Sequence, residues 1–418
     1  MRPQRTLTAR GGLMMFFGLV ALVCGFAIGQ REIVGAGLLL LLVPAIAALT
    51  ILGAADRVSH SRDLRPQRIP AGTDTQVLIR ITNTSPTWPV GWIRLEDTLP
   101  VRLGHEPRYT MGYLGPGSAH DIVYLVRPAV RGRYPVGPLR VSVLDSLGCV
   151  RVTRTLGTPT PLLVTPRLVP LPELGRADGS QGEDAPRRSV TGTGESDPIP
   201  RAYRHGDDLR RVHWRSTAKH GELMVRRDEQ YRREYGSLLL DTRVGAHSGE
   251  GPHSSLETAV SVAASVALHL LEHGHELRFH TERGRLANDT PSGVLDGLAV
   301  MEPSEAPGLM AGINGLEGAH GTSSDLVVAV LGALTPQDAA ALARVGGSVP
   351  RVAVLCSHAA WPDAQASHRV GDLLSANGWR VLPVTDPTEL PALWHRALTP
   401  AGDHATSAGI RAPWESPR

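Results

Sequence analysis

The chain has 418 residues, of which 42% are hydrophobic and 20% charged, and its formal net charge is +3 at pH 7. These values are typical of a folded protein of two or three domains, and so small a net charge gives no indication of a polyanionic partner. Cys24, Cys149 and Cys356 are too far apart to predict a disulfide framework or a zinc site, which fits a reducing compartment.

Two hydrophobic segments lie near the start of the chain. Residues 13–29 and 33–52 are almost entirely apolar, and only three polar residues separate them. Each is about long enough to cross the hydrocarbon core of a bilayer as a helix of roughly 20 residues. We therefore predict a transmembrane helical hairpin over residues 1–55. The alternative is a cleavable signal peptide, which the second segment disfavours because it follows at once and is itself long enough to span.

Arginines flank this hairpin unevenly. Three precede residue 13 and four lie between residues 55 and 70, whereas the turn carries only Arg31 beside Glu32. Positive charge collects on the cytoplasmic side of membrane proteins. The pattern predicts a protein of the cell membrane with two spans, whose termini and soluble domains are all cytoplasmic.

Residues 56–170 show the alternation expected of strands. Val77, Ile79 and Ile81 alternate with Leu78, Arg80 and Thr82, and clusters of Gly, Pro, Asn and Ser separate this run from similar ones. Short strands at this spacing without a helical stretch predict an all-β, immunoglobulin-like sandwich. Residues 171–200 are rich in Gly, Ser, Asp, Arg and Pro, and predict a linker or surface loop.

Residues 236–400 alternate between strand and helix patterns, and residues 401–418 predict a disordered tail. The strand candidates are continuous apolar runs, which is typical of a buried parallel sheet. Such alternation predicts an α/β doubly wound domain with its ligand edge at the strand C-termini. The strand candidates are residues 237–241, 276–280, 326–331, 351–356 and 380–384, and the helix candidates are residues 255–273, 291–300, 336–345, 364–376 and 388–397.

Residues 201–235 form the densest polar segment of the chain. A tight turn at Gly206, followed by two aspartates, predicts the cap of a short helix that begins near Leu209. The segment is either a salt-bridged seam between the two domains or a surface that binds a partner. Its candidate site residues are Tyr203, Gly206, Asp207, Asp208, Arg210, His213, Trp214, Lys219, Gly221 and Glu222.

This segment resembles the signature of the DUF58 family. The matching positions are Tyr203, Gly206-Asp207-Asp208, Arg210, Val212-His213-Trp214, Ala218-Lys219 and Gly221-Glu222-Leu223, and the upstream landmarks are Arg131-Gly-Arg-Tyr, Asp145-Ser-Leu-Gly and Leu163-Val-Thr-Pro. Ala202, His205 and Lys219 depart from the usual residues. The resemblance implies a von Willebrand factor A-like C-terminal domain, association with MoxR-type AAA+ ATPases and no assigned enzymatic activity.

Metal chemistry is expected to be absent. A von Willebrand A domain that binds Mg²⁺ carries Asp-x-Ser-x-Ser after its first strand, because a hard cation needs clustered oxygen ligands. Here Asp241 is followed by Arg243 and Gly245 at the ligand positions. His269 and His273 are four residues apart but lack a His-Glu-x-x-His arrangement, so they fit the end of a helix better than a zinc site. We predict neither a metal nor a cofactor.

The function predicted from the sequence is a membrane-anchored cytoplasmic scaffold or regulatory protein rather than an enzyme. It would act with a MoxR-type AAA+ ATPase in protein or cell-envelope assembly, as the family resemblance implies, and would contact membrane lipid. Two alternatives stay open, a metal-dependent adhesion or sensor module and an uncharacterised hydrolase. Binding of nucleic acid is not expected, because acidic residues interleave with the arginines of the segment at residues 201–235.

Overall fold

The computed structural model describes residues 4–51, 53–172, 200–203, 212, 214–226, 235–286, 290–318, 324–346, 349–356 and 364–398. Over these ranges the chain forms two apolar helices, a β-rich region and a mixed α/β region, in that order. This sequence of regions confirms the coarse prediction. The predicted disordered tail and most of the predicted linker lie outside the described residues.

Helices α1 (Ala9–Ile28) and α2 (Arg31–Ile51) form the predicted hairpin. They pack closely because Gly37 has no side chain: a Cβ there would lie 2.6 Å from the backbone nitrogen of Leu22. Both helices are long and apolar enough to span a membrane. Ser255–Glu272 also meets that criterion of length and composition, but most of it is buried within the α/β region, so it is a core helix.

The β-rich region holds three sheets. Their strand orders are β1-β10-β9-β5-β6, β2-β4-β7 and β3-β11-β8. The strands are β1 (Gln4–Leu7), β2 (Val58–Arg65), β3 (Arg68–Pro70), β4 (Thr75–Asn83), β5 (Trp92–Asp97), β6 (Arg108–Met111), β7 (Ala119–Val126), β8 (Gly132–Val136), β9 (Leu139–Leu144), β10 (Val150–Leu156) and β11 (Thr160–Thr165). Val77, Ile79 and Ile81 of β4 all point into one core, as their alternation predicted.

Strand β1 was not predicted, and it changes how the hairpin relates to the rest of the chain. It precedes α1 and pairs antiparallel with β10, so that Gln4 lies opposite Thr153 and Leu7 opposite Val150. The chain therefore contributes a strand to the β-rich region before it enters the hairpin. The first helix is anchored to the folded region at its N-terminal end.

The α/β region is built on one sheet of strand order β16-β15-β14-β17-β18-β19, in which only β16 runs antiparallel. Hydrophobic cores lie on both faces of this sheet. The elements are β12 (Pro200–Ala202), α3 (Trp214–His220), β13 (Met224–Arg226), β14 (Tyr235–Leu240), α4 (Ser255–Glu272), β15 (Glu276–Thr281), β16 (Gly284–Leu286), α5 (Pro291–Ala299), α6 (Met310–Gly318), β17 (Ser324–Leu331), α7 (Pro336–Arg344), β18 (Arg351–Cys356), α8 (Ala364–Ala376), β19 (Arg380–Val384) and α9 (Leu390–Leu398). Strands β14 and β17 are parallel neighbours in the middle of the sheet, and the strands that follow each of them in the chain lie on opposite sides of this pair. Such a topological switch point leaves a crevice at the C-terminal ends of the two strands.

Candidate functional site

The signature segment is described in part. Gly206, Asp207, Asp208, Arg210 and His213 lie outside the described residues, as does the predicted helix start near Leu209. The described helix of this segment is α3, which spans Trp214–His220.

Strands β12 and β13 pair antiparallel on either side of α3. The backbone nitrogen of Tyr203 donates to the carbonyl of Leu223 at 2.7 Å, and the backbone nitrogen of Met224 donates to the Thr217 hydroxyl at 3.0 Å. Gly221, at φ +74°, ends the helix by donating to the Thr217 carbonyl at 2.9 Å, a conformation that favours glycine. The segment is thus a small unit held by its own hydrogen bonds.

One face of α3 is exposed. Trp214 is 71% exposed, and Arg215, Ala218 and Lys219 are also exposed, whereas Thr217 is half-buried against β13. Residues four apart lie on the same side of a helix, so Trp214 with Ala218 and Arg215 with Lys219 make one continuous surface. We call these four residues the α3 surface. Among the remaining described residues of the candidate site, Tyr203 is half-buried and Gly221 and Glu222 are exposed.

The contact between the β-rich and α/β regions is built around Arg131. Its guanidinium donates to the carbonyl oxygens of Leu298 at 2.8 Å and Met301 at 2.9 Å, and forms an ion pair with Glu257. The Arg131 side chain is only 5% exposed. The Tyr134 hydroxyl donates to the carbonyl of Val130 at 2.9 Å, which fixes the loop that presents Arg131. The sequence motif Arg131-Gly-Arg-Tyr therefore serves the interdomain contact.

Further bonds lie along the same contact. Arg68 pairs with Asp296 at 2.9 Å, and the backbone nitrogen of Val169 donates to the Ser265 hydroxyl at 3.0 Å. A cleft of about 600 Å³ opens between the two regions, and Glu257 lies on its wall. In the part of the chain that the structure describes, the interdomain bonds thus come from residues that the sequence analysis did not assign to a seam.

At the C-terminal edge of the sheet, Arg243 lies between two buried carboxylates. Its Nε and Nη2 donate to the two oxygens of Asp241 at 2.9 and 2.8 Å, and its Nη1 donates to Asp338 at 2.8 Å. The three side chains are at most 5% exposed. Hydrogen bonding to Asp241 raises the pKa of Arg243. Asp338 also accepts from the backbone nitrogen of Leu309 at 3.1 Å and from the Thr335 hydroxyl at 2.9 Å.

Neighbouring polar groups at this edge are paired as well. The Glu282 carboxylate accepts from the Thr242 hydroxyl at 2.7 Å and from the Thr242 backbone nitrogen at 3.0 Å. His247 Nε2 lies 2.8 Å from the Asp241 carbonyl oxygen, and burial lowers the pKa of His247, so the imidazole is neutral at pH 7. The polar groups at this edge are thus paired with one another, and the Arg243 guanidinium supplies the positive charge between the Asp241 and Asp338 carboxylates.

The sequence identified Asp241 and Arg243 but missed Asp338. Asp338 lies three residues after Thr335, whose hydroxyl accepts from the Asp338 backbone nitrogen at 3.1 Å at the start of α7. That spacing indicates a helix cap, and no pattern in the sequence indicates the contact with Arg243. His269 and His273 lie at the C-terminal end of α4, where His273 Nδ1 is 2.7 Å from the His269 carbonyl oxygen.

These features define a class of protein with an apolar helical hairpin, a β-rich region and an α/β region that carries an exposed signature helix. Residues 200–347 match the family model described as "Protein of unknown function DUF58". This match supports the resemblance to the DUF58 family that the motif of the segment predicted. A search of curated proteins found no match.

Similar solved structures share only small parts of the chain. The CARDB domain of the PF1109 protein from Pyrococcus furiosus is 12% identical, with a TM-score of 0.18 over 26% of this chain and 89% of that one. The alkylpurine DNA glycosylase AlkC from Pseudomonas fluorescens is 17% identical, with a TM-score of 0.18 over 32% and 40%. The sporulation control protein Spo0M from Bacillus subtilis is 13% identical, with a TM-score of 0.15 over 26% and 49%. Scores this low identify no shared function.

Proposed function

We propose that this chain is a membrane-anchored cytoplasmic scaffold or regulatory protein that acts with a MoxR-type AAA+ ATPase in protein or cell-envelope assembly. The observation that carries the proposal is the α3 surface, an exposed aromatic and basic face within the DUF58 signature. The partner class comes from the family resemblance, and the surface is where such a partner would bind.

Membrane anchoring is supported by the hairpin. The two helices are antiparallel, so the start of α1 and the end of α2 lie at the same membrane surface. The flanking arginines make that surface the cytoplasmic one by the positive-inside rule. The β-rich and α/β regions would then face the cytoplasm, where an ATP-dependent partner operates.

A role in binding is supported by the exposure of Trp214. Tryptophan and arginine are enriched among the residues that contribute most of the binding energy at protein interfaces. The seam around Arg131 already joins the two regions without the α3 surface. That arrangement favours partner binding over the interdomain role for the described part of the signature.

The architecture fits a von Willebrand factor A-like domain preceded by an immunoglobulin-like sandwich. Numbered within its own region, the sheet has the order 3-2-1-4-5-6 with an antiparallel edge strand 3. The guanidinium of Arg243 between Asp241 and Asp338 argues against the metal-dependent adhesion alternative. We therefore favour a binding module without catalytic activity over that alternative and over a hydrolase.

Capture of a purified MoxR-type ATPase by the full-length protein in detergent tests this proposal. Trp214→Ala and Lys219→Ala should each weaken capture about 30-fold, the equivalent of about 2 kcal/mol for an interface anchor. Their melting temperatures should stay near that of the wild type, because both side chains are exposed. Lys219→Arg should retain capture, since it keeps the charge.

Leu125→Ala provides the control. Leu125 is 62% exposed and lies on β7 of the β-rich region, outside the signature segment. Its capture should equal that of the wild type. Full capture by Trp214→Ala and Lys219→Ala, at the same folded fraction, would refute binding through the α3 surface.

A further inference from the structure

The end of the β-rich region next to the hairpin carries large exposed side chains. Trp88 is 64% exposed, Trp92 57%, Tyr113 72% and Leu147 58%. We call these four residues the hairpin-proximal patch. A soluble surface seldom concentrates such side chains without a partner.

The Leu147 loop is fixed directly to the start of α1. The Asp145 carboxylate accepts from the backbone nitrogens of Leu147 at 3.0 Å and Val150 at 2.6 Å, which shapes the loop. Thr8, the N-cap of α1, donates from its hydroxyl to the Gly148 carbonyl at 2.5 Å and from its backbone nitrogen to the Cys149 carbonyl at 2.9 Å. Leu147 therefore lies at the level where the chain enters the first span.

The residues that follow the second span contact the same end of the β-rich region. Arg57 follows α2, and its guanidinium carbon lies 5.7 Å from the centre of the Trp88 ring. The side-chain amide of Asn83 donates to the carbonyls of Trp88 at 2.9 Å and Leu114 at 3.2 Å, so the loops that carry Trp88 and Tyr113 are held together.

Trp92 extends the patch toward the Leu147 loop. It lies opposite Leu144 in the pairing of β5 with β9, at the strand end that leads into that loop. Leu13 and Phe16, which follow Thr8 within the first two to three turns of α1, are exposed as well.

We propose that the hairpin-proximal patch is a lipid-binding surface, on which Trp88, Trp92, Tyr113 and Leu147 enter the headgroup layer of the bilayer. Tryptophan and tyrosine favour this layer because their rings are apolar and their N–H and O–H groups are polar. Arg10 and Arg57 lie beside the patch and supply positive charge for lipid phosphates. The proposal rests on the membrane anchoring proposed above. It adds that the β-rich region lies on the bilayer surface instead of being held away from it.

Fluorescence of the full-length protein in phosphatidylcholine–phosphatidylglycerol nanodiscs tests this arrangement. Lipids brominated in the upper acyl chain quench only tryptophans at the interface or deeper. Of the seven tryptophans in the chain, Trp88 and Trp92 should account for most of that quenching. The double variant Trp88→Phe/Trp92→Phe should lose most of it, whereas Trp214→Phe should keep it.

Two results would overturn the proposal, and they are distinguishable. If the double variant enters nanodiscs and is quenched to the same fraction as the wild type, the patch does not contact lipid although the anchor holds. If the wild-type protein does not enter nanodiscs at all, both the lipid contact and the membrane anchoring are wrong.

Discussion

Replacing Arg243 by serine is expected to lower the free energy of unfolding by about 3–5 kcal/mol, the cost of removing one member of a buried ion pair. The substitution would leave the carboxylates of Asp241 and Asp338 buried with no guanidinium between them. Denaturant unfolding of the full-length protein in detergent measures the change. Arg65→Ser is the matched control, because Arg65 and Asp63 are 69% and 45% exposed in their ion pair, and exposed pairs contribute only about 0–1 kcal/mol.

The same variant should respond to divalent cations. Millimolar Mg²⁺ or Mn²⁺ should leave the melting temperature of the wild type unchanged, because Arg243 already lies between the carboxylates. In Arg243→Ser a hard cation that binds Asp241 and Asp338 should recover part of the lost stability. A saturable rise in the melting temperature of the wild type that Asp241→Ala abolishes would contradict this account. A decrease in the free energy of unfolding of less than about 1 kcal/mol in Arg243→Ser would contradict it as well.

Replacing Arg131 by alanine should uncouple the β-rich region from the α/β region. The variant loses the bonds to the Leu298 and Met301 carbonyls and leaves the Glu257 carboxylate without its buried partner. We expect the free energy of unfolding to fall by about 3 kcal/mol. This value is at the low end for buried pairs because the Glu257 side chain is 20% exposed. Calorimetry should show two separate transitions for Arg131→Ala and one for the wild type.

Arg133→Ala is the control for this experiment. Arg133 lies two residues away in the same motif, and its side chain is exposed. It should melt like the wild type. An Arg131→Ala protein that melts in one transition at the wild-type temperature would show that the seam depends on other contacts.

Periodicity predicted the parts of the fold that have a strong local pattern. The spacing of apolar residues along the sequence is enough to indicate the two spans, the alternation in β4 and the five parallel strands of the α/β region. Helix α6 was missed because its glycines have low helix propensity. They are needed for packing: a Cβ on Gly312 would lie 2.5 Å from Leu239, and one on Gly315 would lie 2.4 Å from His280.

Contacts between distant residues could not be predicted. Strand β1 has four residues and no apolar alternation, so only its pairing with β10 defines it. Arg243 meets Asp338 across 95 positions of sequence, and Arg131 meets Glu257 across 126. The sequence shows the charges but not which charges meet. The exposure of Trp214 was equally hidden, because a tryptophan in a polar segment fits a buried anchor as well as a binding surface.

The topology of the hairpin tests the central claim most directly, because a cytoplasmic ATPase reaches only domains on its own side of the membrane. Reporter fusions placed after Arg68 and at Arg418, one active only in the cytoplasm and one only outside it, locate the region after the hairpin and the C-terminus. Both positions should report the cytoplasm, as the flanking arginines require. An extracytoplasmic signal from either position would contradict the proposed role with a cytoplasmic AAA+ partner.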